Sequence, residues 1–329
     1  SDYKGQVYYI SEKNGNDNND GKSPATAWKT TQKANTLAFT TEDNAILFER
    51  GGIYRGTVNT LANTTYGAYG SGEKPVIMQS SRNYADESLW KETDVKNVYK
   101  CSLELYNVGI MVFDRDVHNY GDYNATIGTI CNKYAFGFET YADLDSDLEF
   151  YSDLTTKELY LYSDKGNPGK RFSDIEIGEK INIFAGSAIN VTSDNLAVMY
   201  TGAHGIGSGN MQNYTVKNSI FCWIGGSVLS HDEYRKDVVN YGNAIECYGQ
   251  CDGFYVDNCW IYQIYDTAIT FQNYRDELCI EKNIKFTNNL LEKCYWNIEI
   301  YNSRSAAGIR TEITDVYIAY NVLNDGGYG

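Results

Sequence analysis

Residues 255–272 read YVDNCWIYQIYDTAITFQ: a β-like run, an Asn, an apolar run, a polar turn and a second alternating run. The same order recurs in VTSDNLAVMYTGAHGIGS (191–208), YTVKNSIFCWIGGS (214–227), KFTNNLLEKCYWNIEIYN (285–302) and, in part, YIAYNVLNDGGYG (317–329). The Asn residues at 195, 218, 258, 289 and 321 are 23, 40, 31 and 32 positions apart. Repeats longer than ~20 residues, irregular in period and built of short strands, predict a parallel β-solenoid in which strands stack while turns vary in length. The stacked Asn residues would then form one ladder along a corner, bonding each other and the turn backbone.

The strands that follow the turn are HGIGS (204–208), NAIECY (243–248), TAITFQ (267–272) and NIEIYN (297–302). Side chains alternate across a strand, so Ile206, Ile245, Ile269 and Ile298 form an inward stack, extended by Cys247, Phe271 and Ile300. Parity then puts Gly207, Glu246, Thr270 and Glu299 in one outward column, and Tyr248, Gln272 and Tyr301 in the next. This register treats SHDEYRKDVVNY (230–241) as an insertion, because Glu246 then stands 12 residues before its next Asn and Gly207 stands 11 before its own.

Towards the N-terminus the pattern changes. VYYISEKNGNDNNDGKSPATAWKTTQKANTLA (7–38) predicts a strand, a polar turn and a helix from about Ala27 to Leu37 that covers the open end of the stack. NAILFERGGIYRGTV (44–58) and KPVIMQS (74–80) read as first rungs, whereas about 82–180 fits the rungs poorly and contains a hairpin, DLEFYSDLTTKELYLYSD (147–164). The expected organisation is an N-terminal strand and capping helix over 1–43 and a solenoid over 44–329, with a β-rich insertion or elaborated rungs at 82–180. The opening SDYKGQVYYI lacks a basic-then-apolar segment, so an export signal is expected to have been removed or to lie outside this sequence. NVLNDGGYG (321–329) is a rung signature without a cap, so further domains or a partner are expected over that end.

Composition narrows the partners. A formal charge of −15 with no Lys/Arg run argues against nucleic acid or an anionic membrane surface, and no apolar stretch reaches the ~18–20 residues of a membrane span. Thirty Tyr and 30 Gly against 3 Pro suit an all-β chain with many turns. Exposed Tyr also packs on apolar sugar faces. The eight Cys lack paired CxxC spacing and His partners, so no zinc site is expected; they read as buried thiols, with disulfides as the alternative.

VYYISEKNGNDNNDGKSPATAWKTTQKA resembles the entry motif of secreted bacterial right-handed parallel β-helix proteins, with Ala27 in place of their usual Pro before Trp28. ILFERGGIYRG and YGAYGSGEKPVI are similar to the segments that follow it. GAHGI, IGGS, YGNAIE and YDTAITFQ resemble a carbohydrate-active, glycoside hydrolase-like subgroup of that pectate-lyase-like superfamily, with Ala244 where a Gly is common. The resemblance implies the fold and an extracellular bacterial protein acting on a polysaccharide or oligosaccharide. It leaves hydrolase, lyase, esterase and depolymerase open.

Roles therefore rest on geometry. Stacked rungs are ~4.8 Å apart, so Glu246 and Glu299, two rungs apart, are expected ~9–10 Å apart at the backbone, which leans towards the ~6.5–9.5 Å of an inverting acid/base pair. Gly207, Ala244, Ala268 and Thr270 would floor the cleft. Asp266 and His204 are auxiliary candidates, although four residues of strand put Asp266 ~13 Å along from Thr270, too far to pair with Glu246 unless the chain bends. Tyr241, Asn243, Tyr248, Thr270, Gln272, Trp296, Tyr301 and His231 are candidate sugar contacts, with Asp232, Glu233 and Arg235 of the insertion beside His231. Arg275 and Arg304 would suit an acidic sugar. Each of these residues also has a bland reading: the Glu pair as solvated strand residues, Asp266 as a turn cap, His204 as a structural His, the arginines as partners of nearby carboxylates.

Two rival functions stay open. A polysaccharide lyase acting by β-elimination on a uronate polymer would need a base and a cation such as Ca²⁺; no cofactor is expected for the hydrolase. DNNDG (17–21) lacks the spaced Glu of a calcium loop and reads as a plain turn. A non-catalytic glycan-binding or adhesive β-helix would use the same Tyr-rich face.

Overall fold

The computed structural model describes residues 3–39, 41–132, 138–232, 237–273, 278–302 and 311–327. The chain is all-β, with long parallel sheets. Three stacks of parallel strands run through it. One holds Val58–Thr60, Phe184–Gly186, the first parts of Ile206–Lys217 and Ile245–Asp257, then Thr267–Asn273 and Trp296–Asn302. A second begins with Val7–Ile10, Asn44–Glu49 and Thr64–Tyr69, and continues through Val191–Asp194 and the later parts of the two long strands to Cys279–Thr287 and Thr311–Ala319. The third runs from Ile53–Arg55 and Val76–Met78 through Ala197–Thr201, Ile220–Ile224, Trp260–Ile264 and Leu290–Glu292 to Val322–Asn324. Each repeat visits the three in turn and returns one strand over.

The core lies between these stacks. Ile206, Ile245 and Ile269 pair in register, as the parity argument required, and are fully buried with Tyr214, Phe254, Phe286, Phe221, Ile261 and Leu291 from the other two stacks. On the fourth strand the register continues, but Ile298 is only partly buried and Ile300, expected to face inward, is 49% exposed. Each such side chain contributes roughly 1.5–3 kcal/mol by leaving water. All eight Cys are buried free thiols.

The corners explain the Asn content. Asn195, Asn218, Asn258, Asn288 and Tyr320 all have φ between 52° and 66°, the left-handed region that Asn tolerates better than other non-Gly residues. The expected single ladder is thus two neighbouring columns. Asp257 pairs with Thr287, so Asn288 follows Asn258 at the left-handed position, while Asn289 and Asn321 occupy the next position and bond each other at 2.9 Å. A further left-handed corner was missed by the sequence reading: Asn63, Asn190, Asn213, Gly253, Asn283 and Asp315. There Asn213 donates to Asn190 at 3.1 Å and Asn190 to Asn63 at 2.7 Å.

The helix expected over 27–37 is shorter, a single turn at Thr31–Ala34 behind a 3-10 turn at Pro24–Thr26. Trp28 stays extended because its N–H and C=O pair with Tyr9 and Ser11. Its ring stacks on Tyr8 at 4.7 Å, at the edge of the core.

Between about 82 and 180 the strands form a five-stranded and a three-stranded sheet around their own cluster, which includes Trp90, Phe113, Phe150 and Leu161. Glu149–Ser152 and Leu159–Tyr162 pair antiparallel inside the predicted hairpin. Arg55 holds Glu176 through two 2.6 Å bonds, joining this segment to an early strand of the third stack. A second hairpin, Ser227–Asp232 with Asp237–Tyr241, accounts for the insertion before Gly242.

Candidate functional site

The pairing Gly207↔Glu246, Glu246↔Thr270 and Thr270↔Glu299 sets these four residues in one column, with Tyr248, Gln272 and Tyr301 in the next. The Ile stack takes the opposite face of each strand. Glu246 is nevertheless only 9% exposed, because neighbouring side chains close over it.

Three donors surround that carboxylate. Asn243 Nδ2 and Gln272 Nε2 each donate to Oε2 at 2.7 Å, and His204 Nε2 lies 3.4 Å from Oε1. His204 Nδ1 accepts the backbone N–H of Asn243 at 2.9 Å, which assigns the proton of the neutral ring to Nε2, facing Glu246. Burial lowers the His204 pKa against the opposing pull of Glu246. Asn243 also fixes the next rung, since its Oδ1 accepts from the Thr267 N–H at 2.9 Å. The Tyr241 ring, at the end of the hairpin, packs edge-on against His204 at 4.9 Å.

A second set of carboxylates meets at Thr267. Its hydroxyl lies 3.4 Å from Asp266 Oδ1 and 3.4 Å from Glu299 Oε2, so those oxygens are no more than twice that distance apart. Thr270 Oγ1 reaches the same Glu299 oxygen at 3.3 Å. Burial, then the charge of Glu299, pushes the Asp266 carboxyl up to about 6. Burial also raises Glu299, with the charge of Glu246 adding to it. Neighbouring, partly buried carboxylates of this kind keep a proton to higher pH than a free carboxyl does, the condition that suits a general acid.

This corrects the sequence estimate for Asp266. Counting residues along the strand gave ~13 Å from Thr270, but Glu299 leans back along its strand to Thr267, whose hydroxyl also lies beside Asp266. Asp266 thereby meets Glu299, and the charges of both Glu299 and Glu246 act on its titration. The floor also differs. Ala244 and Ala268 belong to the buried core, and Asn182 and His204 occupy the space over Gly207, where an added Cβ would lie 2.4 Å from Asn182 Nδ2 and 2.9 Å from His204 Cδ2. His204 is buried rather than at the rim, Asn243 is a buried strut rather than an exposed sugar contact, and Thr270 is fully buried.

The remaining candidates spread outward. Trp296 and Tyr301 are exposed, Trp296 with its ring edge-on to Tyr295 at 5.1 Å, and Tyr248 is half-buried. His231 is exposed on the hairpin, paired across it with Val238. Arg275, Arg304, Glu233 and Arg235 lie outside the described residues, as does the side chain of Asp232. Thr267, Asn182, Tyr265 and Lys180 were not singled out from sequence; Lys180 Nζ stands 5.5 Å from the Tyr241 ring. Among the described residues no group of three or more His, Cys, Asp or Glu is placed to hold a metal ion, and no helix is long and apolar enough to cross a membrane.

No family model matches the chain and no curated protein matches it. Among solved structures, a GH136 lacto-N-biosidase from Eubacterium ramulus aligns over 97% of this chain and 56% of its own, with a TM-score of 0.39 and 12% identity. This chain thus spans little more than half of that one. A structure described as a glycoside hydrolase aligns over 98% of this chain and 96% of its own, with a TM-score of 0.37 and 10% identity. At such identities function has to be argued from the site itself.

Proposed function

We propose that this chain is a secreted bacterial glycoside hydrolase built on a right-handed parallel β-helix, with residues 1–43 closing one end and 82–180 inserted between rungs. The observation that carries the reading is the meeting of Asp266 and Glu299 at the Thr267 hydroxyl, with Glu246 on the preceding rung tied to Thr267 through Asn243: one carboxylate fed by donors and two with raised pKa. In this reading the Asp266–Glu299 pair holds the proton that passes to the leaving glycosidic oxygen. Glu246, an acceptor for Asn243, Gln272 and His204, takes a proton from the attacking water. Glu246 and Glu299 start two rungs apart, ~9–10 Å, and both reach for the middle rung, which supports the separation an inverting enzyme uses. Tyr241, Tyr248, Trp296 and Tyr301 would face a polysaccharide or oligosaccharide, and the chemistry needs no cofactor.

A panel of plant and microbial glycans tests this. New reducing ends without the ultraviolet absorbance of an unsaturated uronate are expected. That absorbance would instead establish β-elimination, and retardation on a glycan gel without any product would establish a binding protein.

A further inference from the structure

The outward face of the second stack carries a groove that the carboxylate site does not use. Tyr255, Lys285 and Tyr317 pair in register on three successive rungs, while Phe254, Val256, Ile284 and Phe286 take the inward positions. With Asn283 and Asp315 from the left-handed corner beside them, the three line a groove of about 420 Å³, inside the ~300–1,000 Å³ range of ligand sites. Its recognition groups reach solvent: Tyr317 is 46% exposed, Lys285 is exposed and Tyr255 is half-buried.

Two departures from the regular stack shape this groove. The corner column runs Asn63, Asn190, Asn213, Gly253, Asn283, Asp315, and its glycine stands on the Tyr255 rung. A Cβ at Gly253 would lie 2.8 Å from Asn213 Oδ1 and 3.1 Å from the Tyr255 hydroxyl, so the missing side chain lets Tyr255 lie over the corner. The second departure is charge. On the same face Lys217 pairs with Asp194 at 3.6 Å and Lys282 with Asp252 at 3.1 Å, whereas Lys285 pairs with no carboxylate among the described residues. Its ammonium stands 5.7 Å from the centre of the Tyr317 ring, and its rung lies between two tyrosines set ~9–10 Å apart.

We propose that this groove is a second, non-catalytic glycan site for a polysaccharide bearing carboxylate or sulfate groups. Apolar sugar faces pack on Tyr255 and Tyr317, the acid group meets Lys285 in a charge-assisted bond, and sugar hydroxyls bond Asn283 and Asp315. The chain lies along the stack, one corner away from the column of Glu246 and Glu299. Binding there does not require the hydrolase reading, although it would keep polymer at the surface of such an enzyme.

Affinity electrophoresis in gels holding polygalacturonate, dextran sulfate or dextran tests this. A chain of formal charge −15 is not drawn to an acidic polymer by its overall field, so retardation reports a local site. The native chain should be retarded by polygalacturonate, which identifies a carboxylate ligand, or by dextran sulfate, which identifies a sulfate, and not by dextran. Lys285→Met should weaken the interaction by about tenfold or more in Kd, the scale of a lost hydrogen bond to a charged group. Gly253→Asn, which matches the neighbouring rungs and displaces Tyr255, should weaken it as well. Glu246→Gln and Trp296→Ala, on the first stack, should leave it unchanged. No retardation by either acidic polymer, equal retardation by dextran, or a loss in the first-stack variants rather than in Lys285→Met overturns the proposal. Retardation that depends on Lys285, with no glycan cleaved, keeps this site and removes the hydrolase reading.

Discussion

Asn243 donates through Nδ2 to Glu246 Oε2 at 2.7 Å from a position that is itself only 2% exposed. The same side chain accepts the Thr267 N–H, and its backbone N–H meets His204. One residue therefore aligns the acceptor carboxylate and the rung of Thr267 through its side chain, and the histidine through its backbone. Replacing it by Ala leaves a buried N–H and a buried carboxylate short of partners. Asn243→Ala should cost about 2–4 kcal/mol, read as a lower denaturant midpoint at unchanged slope.

The raised Asp266 pKa fixes the sign of two pH effects. If Asp266 delivers the proton, kcat/KM falls as pH rises through about 6. Stability moves the same way: the folded state holds this proton to higher pH than the unfolded chain does, so stability present below the ordinary carboxylate range is lost as pH rises through about 6. Asp266→Asn should flatten that slope in denaturant titrations between pH 4 and 7.

Thr267→Val keeps the shape of a fully buried residue and removes the hydroxyl near Asp266 and Glu299. Because that contact lowers both carboxyls, the alkaline limb of the kcat/KM profile should move upward. An unmoved limb would separate Thr267 from the proton-holding pair.

Asn213 is exposed with φ of 50°, so backbone conformation dominates its substitutions. Asn213→Val should lose about 1–2 kcal/mol, whereas Asn213→Gly should lose less, both read from thermal or urea unfolding. Equal losses would argue against the left-handed corner.

Strand register was legible because Ile recurs on one parity of four strands, and a slip by one residue would turn every Ile outward. The Asn ladder was half legible. Residues 288 and 289 are both Asn, and spacing alone selected the wrong one for the corner column. Trp28 carries a helical-looking pattern but pairs as extended chain with Tyr9 and Ser11, so tertiary pairing overrides local preference there. At the site, the column of Glu246, Thr270 and Glu299 followed from parity. The part played by Asp266 did not, because it depends on which way the long Glu299 side chain leans, and the hydroxyl of Thr267 has no signature in sequence at all.

On the proposed chemistry, Glu246 and the Asp266–Glu299 pair perform opposite proton transfers on a glycosidic bond. The rate of reducing-end release by Glu246→Gln, Asp266→Asn and Glu299→Gln, on a substrate the native protein cleaves and with each variant first shown to be folded, tests this. Glu246→Gln and at least one of the pair variants should lower kcat by about 10²–10⁴, the latter also losing the limb near pH 6. Full activity in Glu246→Gln, or in both pair variants, would contradict the assignment.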